Sequence, residues 1–277
     1  MWILKKPCLV SAINDIDVLI DHCRALDGSH KPKLKQLYLD YENGKGEVSV
    51  AQLQPLTDKA DVIREQYKKT YNTQGSNQLY YVRRELIANV QKCPYCSINK
   101  PSQLDHFMDK SKYGQLATCR LNLVPLCSVC NWLKSSKDYS GFTHPYYQTF
   151  PNQPFLIAVC RIVKQRVVFD FRIDSAVIID ECLFNRLNNQ INATKLQSRL
   201  REATQEFIYN EFANCFASNK KELEMYLDCE ESKMCSIYHL NDWRTAVIRG
   251  LKTCNQFDIN VVRNMNNAIK PINGCGA

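Results

Sequence analysis

Two pairs of closely spaced cysteines constrain this chain more than any other feature. Each pair has the form Cys-x-x-Cys, and 30 residues separate the first pair, Cys93 and Cys96, from the second, Cys127 and Cys130. Two such knuckles present four thiolates, the number that completes a tetrahedral zinc site. Since all four positions are then filled by protein, the site is structural. The spacing therefore predicts a zinc ion that ties together the two ends of a small, loop-rich segment.

Unpaired core cysteines are the alternative interpretation of these four residues. That interpretation suits the other ten cysteines, which are scattered singly along the chain. A thioredoxin-like redox motif is disfavoured, because no strand–helix–strand pattern surrounds either pair. Although 14 cysteines are many for 277 residues, no secretory signal precedes them, and a reduced cytoplasmic protein is expected. No run of 18 apolar residues occurs, so no membrane span is expected.

The positive charge of the chain is concentrated around the cysteine pairs. The formal net charge is +8, and residues 91–140 carry seven basic and three acidic side chains. Such a patch attracts a polyanion, although a solvated surface gives the same composition. The candidate nucleic-acid-binding residues are Lys110, Lys112, Arg120, Lys134 and Lys137.

Hydrophobic periodicity predicts an α+β fold in which a small core is embedded in a mainly helical chain. Strands are predicted at 155–160 and 166–171. Helices are predicted at 11–26, 33–41, 55–70, 79–90, 190–216, 219–228, 241–253 and 258–269. We divide the chain into an N-terminal helical region (1–75), a core with the zinc site (76–150) and a C-terminal, mainly helical region (151–277).

A second set of residues lies between the two cysteine pairs and just after the second pair, in a fixed order. The pair Asp105-His106 comes first, then Asn122 before an apolar turn, and finally Asn131 after the second cysteine pair, with Lys134 three residues further on. In this order the segment from about 90 to 150 resembles the HNH nuclease family, in its zinc-knuckle H-N-N variant. The resemblance implies a ββα-metal core, with Asp105 and His106 on a hairpin and Asn131 on the following helix.

The resemblance also implies a role for each of these residues. His106 would be the general base that activates water, and Asp105 and Asn131 would hold a catalytic cation. Asn122 would brace the hairpin loop and orient His106. The chemistry agrees, because a neutral histidine accepts a proton near pH 7 and hard cations take oxygen ligands. The amide at Asn131, in place of a family histidine, favours Mg²⁺ or Mn²⁺.

Two further points qualify this pattern. Neighbouring residues on a regular strand point to opposite faces, so Asp105 and His106 converge only if the hairpin twists or bulges. Many HNH enzymes carry a proline soon after this pair, whereas this chain continues with Phe107 and Met108.

His144, in the segment His-Pro-Tyr-Tyr, is predicted to be a structural joint to the next region.

The leading hypothesis is a metal-dependent endonuclease, with DNA favoured over RNA as substrate. The layout resembles HNH effectors of Septu-type and retron-associated phage-defence systems, which implies an ATPase partner that docks on 1–75 and 151–277. No ATP-binding glycine loop occurs in this sequence, so that ATPase would be a separate protein. The alternatives are a non-catalytic, zinc-stapled nucleic-acid-binding or scaffolding module, and an RNase or tRNA-cutting toxin that uses the same site.

Overall fold

The protein consists of two compact units. One comprises Trp2–Thr149 and the other begins at Phe150. The computed structural model describes residues 2–68, 79–88, 90–164, 166–212 and 215–269. The division between the units falls between Thr149 and Phe150, and the described residues 2–68 lie in the same unit as the cysteine pairs.

The first unit combines short helices with one small sheet. Its elements are α1 (Leu9–Asp21), α2 (His30–Asn43), α3 (Val50–Leu53), a 3-10 helix (Gln54–Lys59), α4 (Ala60–Tyr67), α5 (Tyr80–Ala88), β1 (Gln103–His106), β2 (Leu123–Leu126) and α6 (Ser128–Lys134). The helix predicted over 55–70 is thus a 3-10 turn followed by α4. Leu56 marks the kink, since its φ of −127° and ψ of 17° are not helical.

Helices α1 and α2 pack against each other through the apolar faces that their periodicity predicts. Ile16 and Leu19 of α1 are buried, as are Leu34 and Leu37 of α2. In each helix the two positions are three residues apart and so share one face. Helix α1 ends at Asp21, five residues before the predicted end.

The segment between the cysteine pairs forms an antiparallel hairpin followed by a helix. In the register of β1 and β2, Asp105 lies opposite Val124 and His106 lies opposite Leu123. A loop of 16 residues, 107–122, joins the strands. Helix α6 starts directly after β2 and packs on β1, so the order strand, strand, helix places one face of α6 beside the Asp105-His106 pair.

The second unit is built on a longer hairpin. Its elements are β3 (Leu156–Val163), β4 (Arg166–Ile173), α7 (Glu181–Ala193), α8 (Leu196–Phe212), α9 (Lys220–Tyr238), α10 (Trp243–Lys252) and α11 (Ile259–Ile269). Strands β3 and β4 pair antiparallel over their whole length, and α8 and α10 pack against them. The predicted mixture of helices with small antiparallel sheets is therefore confirmed.

The prediction of a single long helix over 190–216 is wrong. The chain forms α7 and α8 instead, separated at Thr194 and Lys195. Lys195 has a φ of +49°, which ends a right-handed helix. Within the described residues, no helix is both long enough and apolar enough to cross a membrane.

Candidate active site and metal centre

The two cysteine pairs converge on one point. The sulfur atoms of Cys93, Cys96, Cys127 and Cys130 all lie within 4.8 Å of one another, and all four residues are buried. The distance from Cys96 Sγ to Cys127 Sγ is 3.8 Å, which matches the edge of a tetrahedron with Zn–S bonds of about 2.3 Å. The predicted four-cysteine cluster is therefore confirmed as a group that could hold a metal ion such as zinc.

Helix α6 contributes to this centre through its first turn. Cys127 is the N-cap of α6, and its sulfur accepts a hydrogen bond from the Cys130 backbone N–H at 3.4 Å. The neighbouring thiols and this amide lower the pKa of Cys127. A thiolate at a helix N-terminus is also stabilised by the helix dipole. The local fold thus favours the deprotonated sulfur that a metal requires.

His106 ends β1 as a buried, neutral imidazole. Its Nε2 lies 3.0 Å from the carbonyl oxygen of Ala117, and the residue is 6% exposed. Because a carbonyl only accepts, Nε2 carries the proton and Nδ1 carries the lone pair. Desolvation, with the positive charge of Lys110 second, lowers the pKa of His106 to about 3. At neutral pH the ring is therefore in the form that accepts a proton.

Tyr67 of α4, which lies outside residues 90–150, packs against His106. The ring centroids of Tyr67 and His106 are 4.2 Å apart at an interplanar angle of 72°. The Tyr67 hydroxyl donates to Leu104 O at 3.1 Å, and the Lys110 ammonium lies 4.6 Å from the Tyr67 ring centroid. Sequence reasoning missed Tyr67. Its spacing of four residues from Ile63 indicates a buried helix face but no role at a site.

Asp105 is paired with a buried lysine. The Lys134 ammonium lies 2.8 Å from Asp105 Oδ2 and donates to His106 O at 3.0 Å. Lys134 is 0% exposed, so its prediction as a nucleic-acid-binding surface residue is wrong. Burial raises the pKa of Asp105 to about 6 even though the Lys134 charge acts to lower it.

Asn131 faces the same strand one helical turn before Lys134. Its side-chain amide donates to Gln103 Oε1 at 2.5 Å. Gln103 and Asp105 are alternate residues of β1 and so share a face, which is the face that α6 covers. The structure thus pairs Asn131 with Gln103, and Asp105 with Lys134. The donor set suits a hard cation, and the carboxylate already holds one positive group, the Lys134 ammonium.

Asn122 spans the loop between the two strands. Its Oδ1 accepts from Met108 N at 2.8 Å, and its Nδ2 donates to Met108 O and Leu116 O at 3.1 and 3.3 Å. The Tyr41 hydroxyl also donates to Asn122 Oδ1 at 3.0 Å, and His144 Nε2 lies 3.1 Å from that hydroxyl. These contacts connect His144 to the loop that supplies Ala117 O to His106.

Arg120 is an internal ion-pair partner, so its prediction as a nucleic-acid-binding residue is wrong. Its guanidinium donates to both carboxylate oxygens of Asp15, at 2.6 and 2.7 Å, and to Glu85 at 3.0 Å. The residue is 5% exposed, which leaves no surface for a phosphate. Of the remaining candidates, Lys112 and Lys137 are exposed and Lys110 is half-buried.

Comparisons with known proteins give no match. No family model, no curated protein and no solved structure corresponds to this chain.

Proposed function

We propose that this protein is an endonuclease that hydrolyses phosphodiester bonds with His106 as the general base, as the resemblance to HNH nucleases implies. The observation that carries the proposal is the tautomer of His106. Ala117 O holds Nε2 as the protonated nitrogen at 3.0 Å, which leaves Nδ1 as the base. His106 is the last residue of β1 and follows Asp105 in the hairpin. The helix after this hairpin, α6, carries two of the four cysteines of the cluster.

The chemistry assigned to His106 is the removal of a proton from the attacking water. A pKa of about 3 in the free protein makes the ring a weak base before substrate is bound. A phosphodiester beside the ring adds negative charge, which stabilises the imidazolium and raises the pKa. Ala117 O stabilises the same imidazolium through Nε2–H. The base is therefore strengthened when substrate is present.

Asp105 and Asn131 are the residues proposed to hold a catalytic Mg²⁺ or Mn²⁺. Bound there, the ion would neutralise charge on the phosphate. In the structure, Lys134 keeps the Asp105 carboxylate in a fixed position between β1 and α6, at 2.8 Å. Lys134 also holds the strand at His106 O, so one ammonium positions both members of the Asp-His pair.

The proposed substrate is DNA, and the proposed partner is an ATPase of the kind found with phage-defence HNH effectors. Both come from the resemblance. The exposed side chains of Lys112 and Lys137 support a polyanionic substrate, because lysines bind phosphate through charge without reading sequence.

A plasmid-nicking assay with Mg²⁺ or Mn²⁺, and with EDTA, tests the proposal. We expect nicking by the wild-type protein and a loss of about 10²–10⁴-fold in His106→Ala, the usual contribution of a general base. The matched control is His22→Ala, since His22 is an exposed histidine on the first unit. Full activity in His106→Ala would exclude His106 as the base.

One observation favours the second candidate, a non-catalytic zinc-stapled module that binds nucleic acid. His106 is only 6% exposed, with Tyr67 packed on it, and a buried histidine is also an ordinary structural residue. This candidate predicts nucleic-acid binding without cleavage of DNA or RNA in either metal. Cleavage of RNA alone would instead identify the RNase alternative.

A further inference from the structure

Helix α6 carries an exposed tryptophan beside the cysteine cluster. Of the three tryptophans, Trp2 and Trp243 are 1% and 3% exposed, whereas Trp132 is 76% exposed. Val129, one helical turn earlier, is 38% exposed. On the opposite side of the same helix, Lys134 contacts Asp105. The helix therefore has one face on the candidate active site and an apolar, aromatic face in solvent.

The position of this indole is fixed by the cysteine cluster. Cys127 and Cys130 lie at the start of α6, two to five residues before Trp132, and their sulfurs belong to the four-cysteine group. A metal held there attaches the helix to the first knuckle. An aromatic ring on a rigid support loses little conformational entropy when a ligand packs on it. Trp132 thus offers a preformed surface on which a planar group of a ligand can stack.

The charges of the two knuckles and α6 indicate the kind of partner. Residues 90–104 and 127–138, which form these segments, contain four lysines and one carboxylate, that of Asp138. One of the four lysines, Lys134, is buried against Asp105. Lys92, Lys100 and Lys137 are exposed. A hydrogen bond from Cys93 N to Asn99 O, at 2.9 Å, closes the first knuckle and brings Lys92 and Lys100 to its two ends.

Protein-binding surfaces are depleted of lysine, whereas surfaces for single-stranded nucleic acid combine positive charge with exposed aromatic rings. A surface with three exposed lysines, one acid and one exposed indole fits the second description. The observations therefore favour nucleic acid over a protein partner at this face.

We propose that Trp132, with Lys92, Lys100 and Lys137, forms a binding surface for single-stranded nucleic acid, the knuckle surface. An unpaired base stacks on the indole, and the lysines hold the neighbouring phosphates. The inference rests on the proposed nuclease function and narrows its substrate class to nucleic acids that contain unpaired bases.

Tryptophan fluorescence tests the knuckle surface directly, because Trp132 supplies the solvent-accessible emission of the protein. The binding partners are oligothymidylate and a duplex of equal length, and the full chain carries His106→Ala so that nothing is cleaved. We expect oligothymidylate, but not the duplex, to quench Trp132 and to protect it from acrylamide. In variants that lack this indole, the Kd is measured by the fluorescence anisotropy of labelled oligothymidylate. We expect Trp132→Leu to weaken binding of the single strand about tenfold, while Trp132→Phe keeps most of it.

Phe216→Leu is the matched control, since Phe216 is an aromatic residue that is 86% exposed on the other unit. We expect it to bind like the parent protein. Because Trp132 is exposed, its substitution leaves the core intact, and unchanged zinc content verifies this. Unchanged affinity in Trp132→Leu, or binding without protection from acrylamide, would overturn the proposal.

The two proposals fail in different ways. If Trp132→Leu, with His106 intact, nicks plasmid and binds oligothymidylate as the wild type does, the knuckle surface is excluded and the nuclease stands. If Trp132→Leu loses single-strand binding but no variant cleaves DNA or RNA in either metal, the knuckle surface is supported and the nuclease is excluded.

Discussion

His106 and His144 are both buried as neutral rings, and their burial links stability to pH. His144 Nδ1 accepts from Tyr146 N at 3.2 Å, so its Nε2 carries the proton toward Tyr41. Protonation of His144 Nδ1 would point the new N–H at the backbone N–H of Tyr146. Desolvation, together with the charge of Lys134, lowers the pKa of His144 to about 3 from 6.5.

We predict that the contribution of these two histidines to the free energy of unfolding decreases as pH falls from about 6.5 toward 3. In that window each histidine is protonated in the unfolded chain and neutral in the folded protein, which costs roughly 1.4 kcal/mol per pH unit, while the raised pKa of Asp105 acts in the opposite direction. In His144→Gln, which is neutral and still offers an N–H to Tyr41, unfolding near pH 5 should take up about one proton fewer. Urea titrations across this range measure the slope, and an unchanged slope would show that His144 is protonated in the folded protein.

The sequence predicted the types of the site residues better than their partners. Asp105, His106 and Asn131 could be found because they lie close to the cysteine pairs in a recognisable order. Arg120 was predicted to bind nucleic acid because its actual partner, Asp15, is 105 residues away. No local sequence pattern predicts such a long-range ion pair. Lys134 was misplaced for a different reason. A seven-residue helix has too few turns for periodicity to separate its buried face from its exposed one.

At the level of elements, short apolar segments were predicted well where a single period dominates. Strands β3 and β4 were predicted from apolar segments rich in β-branched and aromatic residues, and α1 was predicted from helical spacing. The break between α7 and α8 was missed because Thr194 and Lys195 are ordinary helix residues. Thr194 Oγ1 donates to Gln190 O at 2.7 Å, and the positive φ of Lys195 then changes the chain direction.

Helix α10 approaches β3 so closely that only glycine fits at Gly250. A Cβ built there would lie 2.1 Å from Ala158 O, a backbone atom. We predict that Gly250→Ala destabilises the second unit by about 1–3 kcal/mol, despite the better helix propensity of alanine. Gly28→Ala, at a position with open space around it, is the control. Equal unfolding midpoints for the two variants would contradict this packing.

At the level of the whole molecule, the two units differ in what stabilises them. Among the described residues, the four-cysteine group is the cluster of potential metal ligands, and it lies in the unit of residues 2–149. The unit that begins at Phe150 relies on α8 and α10 packed on its hairpin. A bound metal therefore adds stability to the unit that holds the four cysteines.

We predict that chelation of zinc lowers the unfolding temperature of the first unit and leaves that of the second unchanged. At a hundredfold excess of zinc over its Kd the difference corresponds to about 3 kcal/mol. Cys127→Ser should reproduce the effect without chelator, whereas Cys229→Ser, at an exposed cysteine of the second unit, should not. Differential scanning calorimetry with zinc analysis measures both. A zinc-free Cys127→Ser protein with a normal first transition would contradict the assignment.

The single-turnover rate of phosphodiester cleavage shows whether His106 acts as the general base. Wild type, His106→Ala and His22→Ala, matched for zinc content, are compared on labelled DNA that contains a single-stranded segment, with Mn²⁺ present. We predict equal rates for wild type and His22→Ala, and a rate lower by about 10²–10⁴-fold for His106→Ala. Equal rates for all three proteins would contradict the assignment of His106 as the base, and no cleavage by any of them would contradict the nuclease itself.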